Sequence, residues 1–351
     1  MRSTCRIFAL ALASFALLQI AGAQEHPCRQ RSLPVSVIDE HGKPVVGLTK
    51  REFSGTLHGN RVQIVGLKHN WFEDFEPLMI GGHPVQSLGL KLADRQAPRV
   101  VVVLDSGPGM MRVPDQWNLA RAIAADMLRV SPKAFRAGLI VYNDQIRLNF
   151  PVSFNPGPAA DALRHYEPFG NASDTKAGSR AVFWDAVTEA VGLLNPPEFG
   201  DAIYVITDGE DTASKTAPAE IQSLALSRGI RLSLALFSPG VNFPDVPVNA
   251  SPALFDIPSR TGGRVIRVES ALPTFRGRVL SYHLTEPQFK ALDASLAELY
   301  AETQFAMRVD IALPEELKKP SEWKLSIAAA GVKIPWRVSY PTVLAPCTPT
   351  H

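Results

Sequence analysis

Cysteine is scarce in this 351-residue chain: Cys5, Cys28 and Cys347 are the three, and none stands in a reactive motif. The hydrolase signatures His-Glu-x-x-His and Gly-x-Ser-x-Gly are missing, and the eight histidines are scattered. Each histidine reads as a surface or packing residue, so no familiar hydrolase chemistry is indicated. An excess of one charge is also missing. With 36 basic and 34 acidic residues the chain has no basic surplus for a nucleic-acid backbone. After the first 23 residues no segment reaches about 18 uninterrupted apolar residues, which excludes a conventional membrane-spanning helix. Internal repeats and low-complexity tracts are absent as well.

What is present begins with an export signal. Arg2 and Arg6 precede an apolar stretch from Ile7 to Ile20, and Ala21-Gly22-Ala23 forms a small-x-small cleavage site. Residues 1–23 are therefore expected to leave, and the protein to be periplasmic or secreted. Without Arg2 and Arg6 the chain keeps 34 basic residues, equal to its 34 acidic ones. Cys28 and Cys347 remain, one near each end, and in an oxidising compartment an even pair reads as a disulfide. At 46% hydrophobic residues the chain can bury a sizeable core.

The hydropathy pattern divides the rest. Residues 24–66 read as an N-terminal β segment, with "LPVSVID" and "NRVQIVGL" alternating around a Gly/Pro turn. Residues 67–98 read as an irregular linker. From 99 to 270 the pattern alternates buried strands ("RVVVVLD", "AGLIVYN", "DAIYVIT", "IRLSLALF") with amphipathic helices. That alternation predicts an α/β unit with a doubly wound, mostly parallel sheet of the Rossmann-like class. A loop and an amphipathic helix occupy 271–304, and 305–351 turns to β again. The two end segments are expected to pair in a small β-sandwich-like subdomain.

Two strands run into an aspartate: "VVVLDSGPGM" into Asp105 and "VITDGED" into Asp208. A carboxylate at the end of a buried strand is costly unless compensated. A phosphate cradle needs a Gly-rich loop with Lys and Ser/Thr, which "DSGPGMMR" lacks. An aspartic protease needs two Asp-Ser/Thr-Gly loops sharing a proton, and here the second is Asp-Gly in a chain with helices between its strands. A metal loop fits, because such sheets place ligands at the carboxyl edge of their strands.

These residues resemble the von Willebrand factor type A fold, whose metal-ion-dependent adhesion site has Asp-x-Ser-x-Ser after the first strand, a Thr before the middle helix and an Asp in "TDG". Asp105 matches the first Asp and Asp208 the last. The chain further resembles the von Willebrand-A-related family described from Acidobacteria, through "VSVIDEHGKPVVGLTKREF", "RTGG" at 260–263, "LAELYAETQFAMRVDI" and a C-terminal "RVSYP". The resemblance implies Mg²⁺ or Mn²⁺ at Asp105 and Asp208. The hydroxyl positions, however, are Gly107, Gly109 and Ala181, which offer no side-chain oxygen to an ion demanding an oxygen shell. The glycines are read as keeping the loop tight. Restoring the hydroxyls is expected to create divalent affinity unless Arg180 replaces the ion, since a guanidinium can bridge carboxylates.

The expectation is an exported, non-catalytic, adhesion-like module with a degenerate metal site and no cofactor. It would bind a protein partner, not nucleic acid, through loops at the carboxyl edge that include Asp105, Ser106, Asp174, Lys176, Arg180, Asp208 and Asp211. The competing expectation is a cell-envelope hydrolase with an unrecognised active site.

Overall fold

The computed structural model describes residues 28–45, 47–69, 77–80, 83–86, 97–111, 115–134, 136–168, 180–238, 251–269, 283–328 and 337–346. In chain order the first strands are β1 (Gln30–Ile38), β2 (Phe53–Leu57), β3 (Asn60–Lys68), β4 (Pro77–Ile80), β5 (His83–Gln86) and β6 (Arg99–Asp105). There follow α1 (Pro108–Met111), α2 (Gln116–Ala134), β7 (Arg136–Tyr142), β8 (Ile146–Ser153), α3 (Gly157–His165), α4 (Phe183–Leu193) and β9 (Ala202–Thr207). The rest is α5 (Pro218–Arg228), β10 (Arg231–Ser238), α6 (Ala253–Thr261), β11 (Val265–Glu269), α7 (Glu286–Gln304), β12 (Met307–Ala312), β13 (Ser321–Ile327), β14 (Arg337–Ser339) and β15 (Val343–Leu344).

Six strands form one sheet in the order β11-β10-β9-β6-β7-β8. Every pairing is parallel except β7 with β8. Every residue of "RVVVVLD" is buried, as a central strand covered on both faces requires. Val100, Val102 and Leu104 pack under α2, α3 and α7. Val101 and Val103 face the opposite side, under α4, α5 and α6. Each such buried Val or Leu contributes about 1.5–3 kcal/mol of transfer free energy. Counted from β6, the order is 3-2-1-4-5-6, so the direction of winding reverses between β6 and β9. Ligand crevices open at such a reversal, beyond the carboxyl ends of the strands. Asp105 ends β6 and Asp208 follows β9, so both stand at that place.

At the amino edge an ionic clamp closes the sheet. Arg99 Nε and Nη2 donate to the two carboxylate oxygens of Asp201 at 2.9 and 2.6 Å. Nη2 also donates to the carbonyls of Leu194 and Pro196.

The end segments pair, but as one curled antiparallel sheet of order β14-β1-β12-β3-β2-β13-β15 in place of the expected sandwich. β12 inserts between β1 and β3, joining the two chain ends directly. β14 and β15 terminate the order, yet only residues 340–342 separate them in sequence, which bends the sheet round. Its single apolar face encloses Val35, Val37, Phe53, Leu57, Met307, Val309, Ile311 and Trp323. The segment read as an irregular linker contains the β4–β5 hairpin, whose strands flank Gly81-Gly82 in sequence. Among the described residues no helix is long and apolar enough to cross a membrane.

Candidate functional site

Asp105, Tyr142 and Thr207 stand abreast on the three central strands β6, β7 and β9. The register pairs Asp105 with Tyr142 and Leu104 with Ile206. By strand alternation all three side chains lie on the face covered by α4. They are joined by hydrogen bonds. Tyr142 OH donates to Thr207 Oγ1 (3.2 Å), and Thr207 Oγ1 donates to Asp105 Oδ2 (2.8 Å). The Gly107 N–H donates to Asp105 Oδ1 (2.7 Å) and the Gly209 N–H to Thr207 Oγ1 (2.9 Å). Asp105 and Thr207 are 1% and 0% exposed. Burial, followed by the negative charge of Asp208, pushes the Asp105 carboxyl up to about 8, against the pull of its hydrogen bonds. Burial also raises Tyr142 above its ordinary value. Thr207 and Tyr142 escaped the sequence reading, because their link to Asp105 exists only once three strands pair.

The loop after β6 turns directly into α1. Neither Gly107 nor Gly109 has a left-handed φ. They provide space. A Cβ on Gly107 would lie 2.9 Å from Asp105 Oδ1. A Cβ on Gly109 would overlap Asp208 Oδ2 and lie 2.8 Å from Asp208 Cγ and 3.2 Å from Glu210 Cδ. The Asp208 carboxylate therefore occupies the place of a side chain at 109, so adding a serine there first displaces the aspartate. The other Asp208 oxygen accepts the Glu210 N–H (3.0 Å). Gly209 is where a left-handed residue is required, at φ +84° with Leu254 close by.

The remaining candidates separate. Ser106 faces away from Asp105: its Oγ donates to the Tyr142 carbonyl (2.8 Å) and meets Tyr166 OH (3.0 Å). Arg180 is exposed and makes no ion pair among the described residues, so it does not bridge the two aspartates. Asp211 Oδ1 accepts the Ser214 hydroxyl (2.6 Å) in a surface turn. Asp174, Lys176 and Cys347 lie outside the described residues, as does the whole of 1–23.

The loops flanking the aspartates are stitched together. Ala181 is buried; its N–H donates to Thr212 Oγ1 (2.9 Å) and its carbonyl accepts the N–H groups of Thr212 and Ala213. α4 has no side-chain cap of its own. Ser214 Oγ accepts the Trp184 N–H (2.9 Å) in its stead, satisfying a donor the helix start leaves open. Asp185 on α4 reciprocates by accepting the N–H groups of Lys215 and Thr216. These bonds and the proximity of the Lys215 charge hold the Asp185 carboxyl below its ordinary range, against its partial burial. The 180–185 and 208–216 segments thus form one fixed ledge beside the Asp105 loop.

The cation that the resemblance implies does not fit these residues. Positions 107, 109 and 181 supply no side-chain oxygen, and both Asp105 oxygens already accept hydrogen bonds. Among the described residues no group of three or more His, Cys, Asp or Glu could hold a metal.

No protein-family model and no curated protein sequence matches the chain. Among solved structures it is similar to the conserved hypothetical protein BatB from Bacteroides thetaiotaomicron, with 17% identity and a TM-score of 0.39 over 57% of this chain and 98% of that one. It is similar to an aerotolerance-related membrane protein from Bacteroides fragilis NCTC 9343, with 19% identity and a TM-score of 0.40 over 57% and 98%. It is also similar to the SpRpn10 VWA domain, with 11% identity and a TM-score of 0.35 over 51% and 90%. The assignment to a parallel-rich α/β sheet beside a curled antiparallel one rests on the strand order and pairings themselves.

Proposed function

We propose that this chain is an exported, non-catalytic protein-binding module on a von Willebrand A-like scaffold, and that it recognises its partner without a metal ion. The carrying observation is the Asp208 carboxylate filling the space beside Gly109, with no hydroxyl at 107 or 181. An adhesion site that works through a cation needs those oxygens, whereas a surface that works through its loops needs only a fixed ledge. The bonds between 180–185 and 208–216 supply that ledge. Loops held on a rigid sheet are where recognition residues concentrate. The proposed surface spans 105–112, 170–180 and 208–214.

Export is proposed from the first 23 residues, and with it a Cys28–Cys347 disulfide. In the chain-entropy picture, closing so long a loop stabilises by roughly 6 kcal/mol. Two free thiols in the mature, unreduced protein would refute the bridge.

The test is retention of an envelope protein on the immobilised chain, with and without EDTA. Retention is expected to survive the chelator and to be lost in the combined variant Asp174→Lys, Lys176→Glu, Asp211→Lys. Loss in EDTA, or a saturable micromolar Mg²⁺ or Mn²⁺ site by calorimetry, would overturn the metal-free reading. Turnover of peptide or ester substrates that disappears in Asp105→Ala would favour the envelope hydrolase.

A further inference from the structure

At the amino edge of the six-stranded sheet, far from Asp105, the two sheets meet across α7. Four sequence stretches quoted above converge here: the opening strand, "RTGG", the α7 sequence and "RVSYP". Arg231, the first residue of β10, is 3% exposed. Its Nη1 donates to Ser36 Oγ on β1 (3.0 Å) and to the Glu302 carbonyl near the end of α7 (3.0 Å). Ser36 Oγ donates to the same carbonyl. α7 has no basic residue in its last turn, so Arg231 brings the cation that a helix C-terminus favours.

One turn earlier on α7, the Glu298 carboxylate accepts from Arg264, beside β11 (2.8 Å), and from Arg337 of β14. Arg264 Nε lies 3.7 Å from Glu302 Oε2. The "RTGG" turn meets "RVSYP" backbone to backbone: the Cβ position of Gly262 is 2.6 Å from Tyr340 C and 2.7 Å from Pro341 N. The Thr342 hydroxyl donates to the Ser259 carbonyl (3.2 Å). Each of these contacts joins two of three parts: the six-stranded unit, the curled sheet, and α7 lying between them.

The knot is electrostatically expensive. Among the described residues Arg231 Nε and Nη2 and Glu302 Oε1 find no hydrogen-bond partner. Buried ion networks contribute little net stability compared with apolar packing, but removing one partner strands the rest. Their effect is to admit a single arrangement of the elements they join. We infer that this junction, centred on Arg231 and α7, makes the two sheets one cooperative unit, and that Arg231 is the residue whose loss uncouples them.

Hydrogen exchange of the full chain along a urea series tests the inference. Amides of β1 and β12 report the curled sheet, and those of β6 and β9 the six-stranded sheet. In the unmodified protein both sets are expected to lose protection at the same urea concentration. In Arg231→Met, protection in β1 and β12 should fall at least tenfold while that in β6 and β9 stays within twofold. Ser36→Ala removes only the β1 arm and should act in the same direction more weakly, which covers failure of Arg231→Met to fold. Separate loss of protection in the unmodified protein would overturn the inference. So would an equal fall in both sheets in either variant, or no change in Ser36→Ala.

Discussion

Replacing Asp105 by Asn should make the protein more stable at neutral and alkaline pH, by an amount that grows with pH. In the unfolded chain this carboxyl ionises near 3.9. In the folded protein burial and the Asp208 charge push it up to about 8. The folded state therefore keeps a proton that the unfolded state has lost, and stability falls as pH rises through the window between those values. Each pH unit corresponds to about 1.4 kcal/mol. Across the window the loss reaches about 5 kcal/mol, a large share of the 5–15 kcal/mol typical of a folded domain. Asn is close in shape, never ionises, and its amide oxygen can still accept the Gly107 N–H. Urea unfolding of both proteins in EDTA, from pH 4.5 to 8.5, reads the difference directly. The gap in favour of Asn should widen by about 3 kcal/mol or more between pH 5 and 8. A gap constant across the range would show that Asp105 ionises normally and would refute the reasoning.

The other expectations follow from single contacts. Arg99→Met strands the fully buried Asp201 and should cost about 3–5 kcal/mol in urea unfolding; a loss below about 1 kcal/mol would count against a structural clamp. Gly109→Ser should displace the Asp208 carboxylate from its bond to the Glu210 N–H and lower stability by about 1–2 kcal/mol. Calorimetry on that variant should find no Mg²⁺ site tighter than millimolar. Gly263→Ala places a Cβ onto the Leu232 carbonyl, a backbone group that cannot turn aside. Its melting should fall by the equivalent of about 2–3 kcal/mol or more, the upper range for overpacking.

Much of the α/β unit was legible because its signals are local. "RVVVVLD" and "DAIYVIT" are continuous apolar runs ending in a carboxylate, and they became adjacent strands that carry Asp105 and Asp208 to one edge. The alternating end segments announced a β unit but not its shape. One curled sheet replaced the expected sandwich because β12 pairs with both β1 and β3, a long-range choice that alternation does not encode. The site was legible in its aspartates and not in their partners. Tyr142, Thr207 and Ser214 act across strands or across loops some 30 to 100 residues apart, and a lone Tyr, Thr or Ser carries no signal of that. The space a glycine leaves is hidden from the sequence for a related reason. Gly109 makes room for a carboxylate about 100 residues further along the chain, which local turn chemistry cannot reveal.

Both aspartates have bonding partners of their own in the fold. Asp105 has work in the fold that needs no cation: it accepts the Gly107 N–H at the start of the loop and the Thr207 hydroxyl from the neighbouring strand. In both bonds a carboxyl oxygen of Asp105 is the acceptor. Asp208 closes its own turn through the Glu210 N–H while lying against Gly109. Each carboxyl thus pins one of the two loops at the point where the sheet reverses its winding. Those bonds fix the two loops through donors and acceptors of the chain itself.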